Sequence, residues 1–171
     1  EKESDGAIMV MDNSGPIGLY DSGVGGLTVV RELARRLPEE SVVYFGDTAR
    51  LPYGNRTKAE ILSFGREICH FLLDQGVKLI IVACNTSSAL ALETLAAEIP
   101  VPMLGVLAAG AAAAVKATRS GRIGVLATEA TAKSGAHKKV AARLCPEAKV
   151  FVQACPLLVP LAERGAVDTP E

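Results

Sequence analysis

An α/β fold on a mostly parallel sheet is predicted by three observations. From Pro16 onward, short aliphatic runs alternate regularly with helical stretches. Most of those runs are continuously apolar rather than alternating, as in strands buried on both faces. Alanine, valine, leucine and glycine dominate a chain of 171 residues that is 49% hydrophobic, enough apolar material for a sizeable core.

Taken in order, the strands are expected at 17–21, 42–46, 78–83, 102–107, 122–127 and 149–154. The segment 27–37 has apolar residues at 27, 30, 33, 34 and 37, one face of a helix. Over 57–75 the helix signal is stronger. Thr57 and Glu60 have capping-box spacing, and Gly76 stands where such a helix stops. A further helix is expected over 88–97, opened by Asn85 and Thr86. Regular β–α alternation implies right-handed crossovers, and ligands then bind beyond the carboxyl ends of the strands. The residues there are Asp21-Ser22, Gly46-Asp47-Thr48, Cys84-Asn85-Thr86, Ala108-Ala109, Thr128-Glu129 and Cys155. One crevice is expected to gather an acid, several hydroxyls and a thiol. A faint repeat, "IGLYDSG" from Ile17 and "IGVLATEA" from Ile123, suggests two similar α/β halves. The same spacing carried forward from Cys84 falls past Glu171.

Bulk properties exclude several functions. The formal net charge is −1, so no basic footprint invites nucleic acid. Aromatics are 4% with no Trp, which argues against a base-stacking platform. The four cysteines form neither a C-x-x-C pair nor a metal-spaced set with histidine, and read as reduced thiols of a cytoplasmic protein. Residues 1–15 are acidic, lack the apolar run of a signal peptide, and read as a disordered extension. No window has the length of a membrane span.

Three stretches carry chemistry. "DSGVGG", Asp21 to Gly26, follows a strand and opens a helix. Its glycines permit close backbone approach and its helix start favours an anion, although a plain turn capped by Asp21 or Ser22 explains it equally well. "GDTARLPYGNRT", Gly46 to Thr57, is a polar loop in which Pro52, Tyr53 and Gly54 make a stiff turn. That turn can offer backbone N–H groups and a phenol, although taken by itself the stretch reads more simply as a structural turn. "LIIVACNTSSA", Leu79 to Ala89, ends a buried strand in Cys84. Most buried cysteines are merely small hydrophobes. Cys84 differs in sitting at the ligand-facing end of a strand, before two polar residues, where a helix start lowers a thiol's pKa. Cys69 reads as core and Cys145 as a helix-end residue. Cys155 is a rival, but Pro156 follows it and removes a donor. His70 and His137 lie on helices with no catalytic setting, leaving a Cys-His dyad unsupported.

Together, "PIGLYDSGVGGLTVV", "YFGDTARLPYGNRT", "VACNTSSALALE", "IGVLATEAT" and "ACPLLVPLAERG" resemble the glutamate racemases of the aspartate/glutamate racemase family, in order from Pro16 to Gly165. The resemblance implies two pseudosymmetric parallel-sheet domains, here 16–105 and the beginning of a second over 106–171. It implies cofactor-independent interconversion of L- and D-glutamate for peptidoglycan precursors, in a cytoplasmic homodimer. By motif, Cys84 is one of two catalytic thiols and Asp21 assists it. Asp21, Ser22, Pro52, Tyr53, Gly54, Asn85, Thr86 and Thr128 would hold the substrate, and Glu163 would support the second thiol. No cofactor or metal is implied. A thiolate on one face of Cα and a thiol on the other can invert the centre, with hydrogen-bond donors rather than a cofactor stabilising the carbanion. The family's second thiol lies in a Gly-Cys-Thr-His-Tyr-Pro motif that does not occur in these residues, and Ala108-Ala109 replace a usual acid and proline. The sequence therefore reads as a C-terminally incomplete racemase. Aspartate racemisation and a non-catalytic amino-acid-binding or regulatory module are the alternatives.

Overall fold

The computed structural model describes residues 14–166. The expected N-terminal extension falls largely outside the described residues. Four parallel strands form the first sheet in the order β2-β1-β3-β4: β1 (Ile17–Asp21), β2 (Val42–Gly46), β3 (Leu79–Val82) and β4 (Met103–Gly105). A second parallel sheet pairs β5 (Arg122–Ala127) with β6 (Lys149–Ala154). Intervening helices are α1 (Leu27–Arg36), α2 (Lys58–Asp74), α3 (Asn85–Leu90), α4 (Leu92–Glu98), α5 (Val106–Ala117), α6 (Glu129–Ser134), α7 (Ala136–Leu144) and α8 (Leu158–Glu163). A 3-10 turn occupies Tyr53–Asn55.

The first sheet meets the expectation of two-sided burial at its centre, where every residue of β1 is buried. Against it α2 presents Ile61, Gly65, Ile68, Cys69 and Leu72, spaced as one helical face. These side chains join Tyr20, Ile80, Val82 and Leu95 in the main core. The Thr57 hydroxyl accepts from the Glu60 amide while the Glu60 carboxylate accepts from the Thr57 amide, completing the capping box. Gly76, at φ 71°, ends the helix in the left-handed region that favours glycine. Cys69 is core and Cys145 caps the end of α7, as expected.

Three expectations are corrected. The run 102–107 yields only three strand residues, because Val106 and Leu107 join the alanine-rich α5, whose composition strongly favours helix. Ala108 therefore lies inside a helix and lines a different cleft, away from the strand ends. The single helix expected over 88–97 is two helices divided at Ala91, and the first begins already at Asn85 because Cys84 caps it. The strands of the second sheet are not buried on both faces. Leu126 is 68% exposed and Phe151 50%, since this sheet has two strands among the described residues and helices cover it incompletely. Also among the described residues, no helix is long and apolar enough to cross a membrane.

Leu72→Ala is expected to destabilise the chain by about 2–5 kcal/mol through an unfilled core cavity. Thr57→Ala should cost about 1 kcal/mol through the lost cap. Urea unfolding followed by circular dichroism measures both, and a smaller loss for Leu72→Ala than for Thr57→Ala would contradict this account of the core.

Candidate active site

Parallel pairing decides which side chains meet. β1 lies between β2 and β3, with Asp21 level with Gly46 and Tyr20 level with Val82. Backbone bonds continue past the strand ends, from the Ala83 amide to the Tyr20 carbonyl (2.9 Å) and from the Asp47 amide to the Asp21 carbonyl (2.9 Å). In the second sheet the Cys155 amide donates likewise to the Ala127 carbonyl (2.8 Å). The ends of the two sheets frame one cavity of about 410 Å³. Asp21, Ser22, Tyr53, Gly54, Cys84, Asn85, Thr86, Thr128 and Glu163 line it, and Cys155 also opens onto it. Of the residues that the family resemblance put at the substrate, only Pro52 lies outside; of those expected at the strand ends, Gly46, Asp47, Thr48, Ala108, Ala109 and Glu129 do not line it. Pro52 lines a smaller adjoining pocket of about 130 Å³ with Gly54 and Thr128.

Cys84 is 5% exposed. Its sulfur occupies the position of an N-cap oxygen, accepting from the Ser87 amide (3.5 Å), and its thiol donates to the Ser22 hydroxyl (3.7 Å). The expectation of a thiol made acidic by the helix start is reversed. Burial pushes the Cys84 thiol above its ordinary range and the Asp21 carboxylate adds to the rise, while the bonds from Ser87 and Ser22 pull the other way. Asp21 is buried, and its carboxylate accepts from the Gly26 amide (2.9 Å) and more weakly from the Gly23 amide (3.4 Å). The "DSGVGG" segment thus closes on its own aspartate.

Opposite, Glu163 on α8 approaches the same loop so closely that a Cβ on Gly23 would lie 2.4 Å from its Oε1. The Tyr44 hydroxyl donates to the Gly23 carbonyl (2.7 Å). Burial, followed by the nearby Asp21, Glu163 and Cys84, pushes this phenol up to about 12. One phenol therefore senses all three acidic groups.

The polar wall was only partly anticipated. The Thr86, Thr128 and Thr131 hydroxyls form a closed ring, at 3.1 Å between Thr86 and Thr128, 3.0 Å from Thr128 to Thr131 and 3.2 Å from Thr131 to Thr86. The ring joins α3 to α6, and so one sheet's helices to the other's. Thr131 was missed, although its position three residues after Thr128, at the start of a helix, is a capping signal; its amide donates to the Thr128 hydroxyl (3.3 Å). The Tyr53 phenol, expected to face a ligand, is 2% exposed and donates to Asp47. Asp47, although next to a strand end, is turned away from the cavity by that bond and by an ion pair with Arg50. Among the described residues, no three His, Cys, Asp or Glu side chains form a group that could hold a metal ion.

Known proteins resemble this chain in sequence and in fold. The family model for Asp/Glu/Hydantoin racemase matches residues 25–169. The chain is 50% identical to a glutamate racemase of Geobacter metallireducens over 152 residues, covering 89% of this chain and 56% of that protein. It superposes with a TM-score of 0.85 on a glutamate racemase isoform from Bacillus anthracis, at 42% identity over 90% of this chain and 59% of that one. A glutamate racemase from Francisella tularensis solved with D-glutamate gives a TM-score of 0.84 at 40% identity, over 91% of this chain and 58% of that one. The chain thus spans a little over half the length of the relatives it matches. With the family's model matched across most of its length, this chain belongs to the Asp/Glu/Hydantoin racemase family.

Proposed function

We propose that the protein carrying this chain racemises glutamate without a cofactor, and that Cys84 is one of its two acid–base groups. The observation that carries this reading is the setting of Cys84, a buried thiol that shares one cavity with Asp21, Ser22, Asn85, Thr86 and Thr128. The relative from Francisella tularensis was solved with D-glutamate, which supports an amino dicarboxylic acid as the occupant.

In this reaction a Cys84 thiolate takes the Cα proton from one face of glutamate and becomes a thiol. A donor on the opposite face returns a proton to Cα, and the reverse direction exchanges the two roles. In the racemases that the chain resembles, the opposite group is a second thiol. Cys84 enters the cycle as a high-pKa thiol, so its thiolate is a strong base once formed. Ser87 and Ser22 are the groups on hand to steady it. Asp21 shares the cavity and disfavours the thiolate; in this reading it receives the proton or passes it on. Asn85, Ser22 and backbone amides at the cavity supply donors for charge developing on the substrate carboxylate. The reading divides the chain into a first α/β unit over 16–105 and part of a second over 106–171, each with its own parallel sheet. From the family resemblance it also carries a homodimer in the cytoplasm and a role in supplying D-glutamate to peptidoglycan.

In D2O the protein is expected to place deuterium at Cα of L-glutamate while its circular dichroism signal decays. Cys84→Ser should lose at least about 100-fold in that exchange. Wild-type rates in Cys84→Ser would remove Cys84 from the mechanism, and exchange into aspartate alone would replace the substrate. A second prediction concerns pH. Alkylation of Cys84 by iodoacetamide, followed by peptide mass spectrometry, should rise at a higher pH than for the same thiol in the urea-unfolded chain. Asp21→Asn removes a negative neighbour and should move that rise to lower pH. A shift upward, or none, would show that Asp21 does not act on the thiol electrostatically.

A further inference from the structure

We infer that Asp47 and Arg50, neither of which lines the cavity, are positioning residues for its Tyr53–Gly54 wall. Asp47 is 4% exposed, and its backbone amide is bonded to Asp21 at the end of β1. One oxygen of its carboxylate accepts from both the Tyr53 hydroxyl and Arg50 Nε, the latter at 2.7 Å. The Arg50 guanidinium reaches further, donating through Nη1 to Glu67 on α2 (2.6 Å). It also lies 4.4 Å above the Phe64 ring, which in turn leans on the Tyr53 ring at 5.6 Å between centroids. The Arg50 carbonyl accepts from Arg56 Nη2 (3.3 Å), drawing the far end of the loop inward.

The loop is therefore anchored at one end to the strand that delivers Asp21 and along its side to α2. Only backbone and ring surface of Tyr53 remain for the cavity, because its hydroxyl is held by Asp47. Gly54 rests directly on the second sheet's end, where an added Cβ would come 2.9 Å from Thr128. A displacement of Asp47 or Arg50 is thus passed to the contact that shapes the cavity between the sheets. Arginine suits this task, since one planar group serves two carboxylates and an aromatic face together. A lysine in its place could serve one carboxylate at a time. Without any cation, the buried Asp47 carboxylate would keep a single neutral donor, a costly arrangement that drives the loop to rearrange.

Tyr20, Tyr44 and Tyr53 are the chain's three tyrosines, so a 3-fluorotyrosine-labelled chain reports on Tyr53 by fluorine resonance, assigned with single Tyr→Phe variants. Arg50→Met is expected to shift or broaden the Tyr53 resonance while those of Tyr20 and Tyr44 stay in place. Arg50→Lys, the gentler variant should Arg50→Met fail to fold, is expected to show the same change at smaller amplitude. An unmoved Tyr53 signal in the folded variants, or equal changes at all three tyrosines, would overturn the inference. A ligand arm rests on the glutamate reading: affinity for L-glutamate, or KM in turnover, should weaken about tenfold or more while the pH profile of Cys84 alkylation is unchanged. Wild-type protein that takes no glutamate would count against the racemase reading, and the fluorine result would still decide the role of Arg50.

Discussion

Parallel pairing of β1 with β2 on one side and β3 on the other is the constraint on which everything at the cavity depends. Parallel strands finish at the same edge, so three segments remote in sequence deliver their final residues side by side. The ladder extends past the strands through the amides of Ala83 and Asp47, which leaves little freedom in where Cys84 and the loop after Gly46 begin. The β5–β6 pair repeats the arrangement, with Cys155 held to Ala127 as Asp47 is held to Asp21. Two such edges facing each other make a crevice without any further device.

What converts the crevice into a chemically defined site is a small number of contacts across it. The threonine ring joins α3 to α6, and Glu163 presses on the glycine that follows Ser22. Each contact requires small residues or short hydroxyl side chains, because larger groups would hold the two edges apart. Burial then determines the electrostatics. Cys84 sits at a helix start, a position that on its own favours a thiolate, yet desolvation and the Asp21 charge outweigh the two bonds its sulfur makes. The result is a thiol held above its ordinary range, whose thiolate, once formed, is a correspondingly stronger base.

Much of this was legible in the sequence. The strand limits of β1, β2, β5 and β6 follow from uninterrupted aliphatic runs, and both ends of α2 follow from Thr57, Glu60 and Gly76. Asp21, Ser22, Cys84, Asn85, Thr86 and Thr128 could be grouped because each stands at or just after the carboxyl end of a strand. Errors arose where a local pattern had more than one reading. Val106 and Leu107 look like strand until the alanines beyond them draw them into helix, and the Tyr53 phenol looks free for a ligand until Asp47 claims it. Thr131 and Arg50 escaped because their importance is relational. A threonine inside a helical stretch and an arginine in a polar loop are ordinary in one dimension.

Sequence alone determined the alternation of elements, the identity of the groups available at the strand ends, and the family to which the chain belongs. Those properties are local or compositional: periodicity, capping spacing and short motifs survive without knowledge of what lies opposite. Tertiary structure decided the direction of the Cys84 shift, the closed ring of Thr86, Thr128 and Thr131, and the turning of Asp47 away from the cavity. Each of these depends on distances between residues far apart in the chain and on how much water is excluded from between them. Neither quantity is written in the order of the residues until the two sheets meet.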